Sequence, residues 1–185
     1  MPFIETKLAG VIIFEPQKYE DERGYFFESY NRKLFADNGI KTNFVQDNQS
    51  FSNYGVLRGI HFQTGIFAQA KLVRVITGSV LDVAVDLRAK SQTFGQYIAV
   101  TLSAKNMKQL FIPRGFGHGF IVLSETAEFF YKCDNYYSKN YEGGIYYNDS
   151  DLKIDWKISN ESIIISEKDK TLEPFKQQVF VGNIF

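Results

Sequence analysis

The sequence predicts an all-β protein: a double-sheet jelly roll with short flanking helices, the whole of residues 1–185 forming one domain. Three observations carry this expectation. Short segments of two-residue alternation recur along most of the chain. Turn residues separate them at roughly the 8–12-residue spacing of sandwiches and barrels. Only one stretch has both a start and a stop signal for a helix. Composition agrees, because 18 Phe, 11 Tyr and 1 Trp suit a pleated, half-buried surface. Most of these rings are expected in the core, leaving a minority to stack on a base or sugar.

In chain order, Val11 to Phe14 (VIIF) is a short apolar strand closed by Pro16. Asp21-Glu22-Arg23-Gly24 is a turn, and Tyr25 to Tyr30 resumes a strand with Phe26 and Glu28 on one parity. Ser29 to Gly39 has the polar start and glycine stop of the single clear helix. Phe44 to Ser50 begins as a strand and turns polar. Arg58 to Gln63 starts another strand, where alternation sets Arg58, Ile60 and Phe62 opposite Gly59, His61 and Gln63. Lys71 to Ile76 and Val80 to Arg88 flank Thr77-Gly78-Ser79, a hairpin signal. In the second arm Leu81, Val83, Val85 and Leu87 share a face opposite Asp82, Ala84, Asp86 and Arg88. Tyr97 to Leu102, Gln109 to Pro113, Gly119 to Leu123 and Glu128 to Cys133 follow as short strands. From Tyr136 the pattern is irregular and predicts an extension wrapping the barrel mouth or a partner subunit.

Charge and cysteine usage limit the partners. Lys plus Arg and Asp plus Glu balance at 21 each, so no net field draws nucleic acid or an anionic membrane. An anionic ligand therefore needs a local cluster of cations. The lone Cys133 excludes an internal disulfide and a four-cysteine zinc site. No leader pattern and no apolar run of membrane length is visible, which favours a soluble cytoplasmic protein.

The stretch Gly55 to Lys71 concentrates reactive groups: Arg58, His61 and Lys71. With only two histidines in the chain, His61 is one of few side chains that exchange protons near neutral pH without a large shift. It is read as a base, although a lone strand histidine also serves structural ends. Lys71, opening a strand beside that of His61, is placed either to stabilise an oxyanion or as a surface lysine. His118 sits among glycines that let backbone approach a ligand or another strand. Two histidines and a carboxylate can bind a metal, but jelly-roll metal sites want more histidines close together, so no metal or other cofactor is expected. Tyr131 is either a core tyrosine or a general acid. Tyr136-Tyr137 suits stacking, and Asp169 can orient His61 from the far end of the chain.

The segments DERGYFFESYN, FVQDNQS, GVLRGIHFQ, AKLVRV, GSVLDVAVDLR, FIPRGFGHGF, YKCDNYY and SEKD, in unbroken order from Val11 to Asp169, closely resemble the dTDP-4-dehydrorhamnose 3,5-epimerases, cupin-like jelly-roll enzymes. The resemblance implies a metal-free homodimer that inverts C3 and C5 of dTDP-4-dehydro-6-deoxy-D-glucose. It implies His61 as base held by Asp169, Tyr131 as acid on the opposite face of the sugar, and Lys71 at the enolate oxygen. Arg23, Glu28, Gln46, Asp47 and Asn48 would contact the nucleotide sugar, partly from the neighbouring subunit. Arg58, as a diphosphate clamp, with His118, Glu142 and Lys168 match further ligand contacts, and Tyr137 a stacking position. Arg114 and Gly117 depart from the family pattern, which often has glutamate and alanine there, and both flank His118. The alternatives are a relative that inverts one centre or uses another 4-keto sugar, a non-catalytic sugar-nucleotide binding jelly roll, and a metal-dependent oxygenase.

Overall fold

The computed structural model describes residues 2–177. Its strands are β1 (Phe3–Glu5), β2 (Ile12–Phe14), β3 (Tyr19–Asp21), β4 (Gly24–Phe26), β5 (Gln46–Asn53), β6 (Leu57–Gln63) and β7 (Lys71–Thr77). They continue as β8 (Ser79–Asp86), β9 (Tyr97–Ser103), β10 (Gln109–Ile112), β11 (Phe116–Val122), β12 (Thr126–Cys133) and β13 (Glu142–Gly144). Two α-helices, α1 (Arg32–Asp37) and α2 (Glu167–Lys170), flank them. A six-stranded sheet in the order β1-β2-β10-β7-β12-β5 faces a five-stranded sheet in the order β13-β6-β11-β8-β9. All strand pairs within both are antiparallel. This is the expected jelly roll.

Three apolar layers hold it. Val73, Val75, Leu110 and Phe129 of the first sheet meet Val80, Ala84, Leu102 and Phe120 of the second between the sheets. The other face of the five-stranded sheet buries Leu57, Ile60, Val83, Val85 and Ile121 under Ile145, Leu152 and Trp156. The irregular extension covers this sheet face; its Ile and Trp side chains complete a core that strand alternation alone leaves half exposed. The outer face of the six-stranded sheet packs Phe14, Leu72 and Phe111 against Phe35 of α1.

Several expected elements are shorter than the pattern implied. The strand from Tyr25 ends at Phe26, so Glu28 lies outside the sheet. The helix begins at Arg32 because the Asn31 side chain accepts from the Leu34 N–H and sets the cap there. Two corrections bear on function. Lys71 does not neighbour the strand of His61, since β6 pairs with β11 and β13 while β7 pairs with β10 and β12. Residues 64–70 carry the chain from one sheet to the other. Arg58 also does not share the face of Ile60 and Phe62. The β6–β11 register pairs His118 with His61 but Phe120 with Arg58, so one extra residue in β6 makes a bulge and switches parity. Gly59 allows this with φ +118°, where a Cβ would stand 2.6 Å from Gly119 Cα and 2.7 Å from the His118 carbonyl oxygen.

Candidate active site

The bulge turns Arg58 and His61 into the space between the sheets, where Lys71, Tyr131 and His118 also converge. They line a cavity of about 730 Å³, within the range of small-molecule sites. His61, on β6, comes from the five-stranded sheet. Its Nε2 lies 2.7 Å from Oδ1 of Asp169. A carboxylate only accepts, so Nε2 carries the hydrogen and Nδ1 keeps its lone pair free.

Asp169 is brought there by a chain of local interactions. Residues Gly55 to Leu57 exchange backbone hydrogen bonds with Ile164, which ties the returning chain beside β6. Ser166 then caps α2, its Oγ accepting from the Asp169 N–H at 3.1 Å. Asp169 is buried. Burial pushes its carboxyl up, but hydrogen bonds and charge from His61, with the Gly59 N–H and Ser166, hold it below the usual carboxylate range.

Lys71 and Tyr131 approach from the opposite sheet. They stand on adjacent strands, and the Lys71 Nζ lies 5.7 Å from the Tyr131 ring centroid. Among the described residues the Lys71 ammonium makes no ion pair or hydrogen bond. Burial pulls its pKa below the ordinary lysine value, and Cys133, Asp82 and Glu142 pull back. A negative charge arriving in the cavity would favour the ammonium further. Burial, above all, pushes the Tyr131 phenol up to about 12, with Arg58 opposing. Its hydroxyl has no hydrogen-bond partner among the described residues, so it remains a proton donor facing the cavity.

His118 is buried, with Nε2 2.9 Å from Oδ2 of Asp82. Burial keeps it below the ordinary histidine pKa in spite of Asp82, and Lys71 and His61 act in the same direction as burial. Its imidazole is therefore neutral at pH 7. Arg58, which lines the cavity, donates from Nε to Ser52 Oγ at 3.1 Å and from Nη2 to the Phe51 carbonyl at 3.5 Å.

The remaining expected residues fall into two groups. Asp47 and Asn48 line the cavity from β5, and Lys168 from α2. Asp47 already grips Lys132 at 2.9 Å. Gln46 donates to Asn48 Oδ1 and accepts from the Tyr137 N–H. Glu142 receives the Tyr137 hydroxyl at 2.9 Å and Lys168 at 2.6 Å. Burial pushes the Glu142 carboxyl up, but these two donors hold it below its usual range. Arg23 and Glu28 are not brought to this cavity. Arg23 pairs with Asp21 at the tip of the exposed β3–β4 hairpin, and Glu28 accepts from Asn31.

The two departures beside His118 also stay out of the cavity. Arg114 reaches Asp134 at 2.8 Å, and a Cβ on Gly117 would meet Ile60 at 2.6 Å. Asp82 and Ser52 are the residues that sequence reasoning passed over. Asp82 was open to it, since a carboxylate between Leu81 and Val83 in a strand must face either water or a polar interior. Among the described residues no cluster of three or more His, Cys, Asp or Glu side chains has metal-binding geometry.

Residues 5–177 match the family model described as dTDP-4-dehydrorhamnose 3,5-epimerase. A protein of that name from Shigella flexneri is 52% identical over 170 residues, covering 91% of this chain and 93% of its own. The crystal structure of one from Elizabethkingia anophelis superposes with a TM-score of 0.91 at 55% identity, covering 95% of this chain and 97% of the other. A Legionella pneumophila epimerase solved with dTDP-4-keto-L-rhamnose has a TM-score of 0.90 at 46% identity, covering 94% and 92%.

Proposed function

The chain belongs to the dTDP-4-dehydrorhamnose 3,5-epimerase family, and on that premise we propose how its residues invert a nucleotide-linked 4-keto sugar. The substrate is dTDP-4-dehydro-6-deoxy-D-glucose. Inversion at C3 and C5 gives dTDP-4-dehydro-L-rhamnose for dTDP-L-rhamnose and surface-polysaccharide synthesis. The C4 ketone acidifies both neighbouring carbons. His61, held in one tautomer by Asp169, removes the proton through Nδ1. The electrons move to the C4 oxygen, where the unpaired Lys71 ammonium stabilises the enolate. Tyr131, on the opposite sheet, returns a proton to the other face of the carbon.

Arg58 takes the diphosphate, for which a guanidinium fork is suited. Asn48, Gln46 and Asp47 on one rim, and Tyr137, Glu142 and Lys168 on the other, frame the sugar and nucleotide, and His118 forms part of the floor. The chain works as a homodimer. Tyr19, Tyr25 and Phe26 of the hairpin are 63%, 57% and 70% exposed, an apolar surface suited to a second copy. Docking it there would carry Arg23 and Glu28 to the partner's nucleotide. No helix among the described residues is long and apolar enough to cross a membrane; the free Cys133 suits a reducing cytoplasm.

The observation that carries this reading is the convergence of a carboxylate-held imidazole, an unpaired ammonium and an unpartnered phenol in one cavity from two facing sheets. Incubation with the 4-keto sugar nucleotide in heavy water, followed by NMR, tests it. Deuterium enters at C3 and C5 with inversion at both. Entry at one carbon alone would assign the chain to the single-centre reaction. The name of a structural neighbour from Streptomyces bikiniensis, a 3'-monoepimerase 29% identical to this chain with a TM-score of 0.85, describes such a reaction. Absence of exchange would overturn the reading.

A further inference from the structure

Inverting two centres with one imidazole and one phenol raises a proton problem. In the first inversion a C–H bond breaks and an N–H bond forms on His61, while the Tyr131 O–H breaks and a new C–H forms. The enolate electrons return to that carbon, leaving imidazolium and phenolate. The second inversion needs imidazole and phenol again. The sugar lies between the two groups and blocks direct transfer, so both must exchange with water while the sugar stays bound. The Tyr131 phenolate, basic enough to match a pKa of about 12, takes its proton from water readily. The imidazolium must lose one along a path the sugar does not fill.

The structure supplies such a path. A second cavity of about 390 Å³ also reaches His61, lined by Lys139, Glu142, Lys168, Thr171 and Leu172 among others. Among the described residues only His61 and Lys168 belong to both cavities. The Glu142–Lys168 ion pair, 2.6 Å long, therefore stands at the boundary beside the His61 ring. Gly144 stands opposite His61 in the β6–β13 register, and Leu172 packs on it where a Cβ would meet Leu172 Cδ2 at 2.7 Å. The lining is polar enough to hold water.

We propose that this second cavity is the water channel through which His61 discharges its proton between the two inversions, with the Glu142–Lys168 pair as its polar boundary. This rests on the epimerase reading above and deepens it. Water in the channel accepts the proton from Nδ1, the nitrogen that took it from carbon, so Nε2–H stays on Asp169 and the base is restored; water at the other face supplies a proton to the phenolate, and no net proton is gained or lost. Lys139, Thr171 and Leu172 contact neither the sugar nor the catalytic groups in this scheme; they only keep the channel open.

The test fills the channel from its exposed wall with Thr171→Trp and, independently, Lys139→Trp on a separate surface turn, so that one folding failure does not end the experiment. Product formed in heavy water is sorted by NMR into singly and doubly deuterated sugar. In both variants the first exchange in a single turnover keeps its wild-type rate. The share of singly inverted, singly deuterated sugar released rises several-fold, and kcat falls with KM unchanged. A folded variant with wild-type kcat and the wild-type ratio of singly to doubly deuterated product overturns the channel. If the wild-type protein itself exchanges neither carbon, the epimerase reading falls first and the channel with it.

Discussion

Replacing Asp169 with asparagine removes the charge from the contact that makes His61 a base. The side chain keeps its size and its place on the capped helix, because the Ser166 Oγ to Asp169 N–H bond involves the main chain. The charge-assisted bond to Nε2 at 2.7 Å is lost. Hydrogen bonds to charged groups contribute about 1.5–3 kcal/mol, and about 1.4 kcal/mol is tenfold in rate. Loss of imidazolium stabilisation alone therefore slows proton abstraction by about 10- to 150-fold. An asparagine amide can also donate to Nε2, which moves the ring hydrogen to Nδ1 and removes the lone pair. That raises the loss toward the roughly 10⁴-fold seen where a triad aspartate is neutralised. The assay is deuterium entry at C3 and C5 under saturating substrate, with dTDP affinity and thermal melting as controls. Exchange within threefold of wild type, in a protein that binds and melts normally, would refute the positioning role.

Tyr131→Phe removes a hydroxyl that has no partner among the described residues, so melting changes little while turnover falls by about 10²-fold or more; wild-type rates of both inversions would exclude it as the acid. The alkaline limb of kcat/KM belongs to Lys71, whose pKa burial holds below the ordinary lysine value, and not to Tyr131, raised to about 12. Lys71→Arg moves that limb to higher pH in whatever activity remains, and an unmoved limb would reassign it. Burial pushes the Asp86 carboxyl up, but Arg88, Ser91 and Thr93 hold it at about 2, so it contributes stability that is present above its unfolded value. That contribution disappears as pH falls through about 2. The shift corresponds to about 2 kcal/mol, so Asp86→Asn lowers the neutral-pH Tm by about 4–8 °C and flattens the acid side of the stability curve. A melting temperature unchanged at pH 7 would contradict this.

The strand pattern was legible because glycine turns and alternation coincide: Gly78, at φ +78°, turns the chain where Thr77-Gly78-Ser79 predicts a turn, but β7 and β8 then enter different sheets, so the expected hairpin is a crossover between them. Strands β1, β3 and β13, each three residues long, are too short for alternation to register. The identities of His61, Lys71, Tyr131 and Asp169 were readable as chemistry, but their arrangement depends on long-range packing. His61 and Asp169 meet across 108 residues, because the intervening chain first covers the outer sheet face with Ile145, Leu152 and Trp156. Arg58 joins them only through the bulge at Gly59, which a strict period of two assigns to the wrong face. Lys71 faces His61 from the other sheet, where proximity in sequence suggested the same one. Arg23 and Glu28 stay apart from the cavity of their own chain.

The most direct measurement of the central claim is heavy-water exchange by His61→Ala. The side chain lines the cavity without belonging to the buried core, so the variant folds and binds dTDP as the wild type does. No deuterium appears at C3 or C5 above the uncatalysed rate. Exchange at either carbon at the wild-type rate would mean that another group removes the proton, and that His61 is not the base.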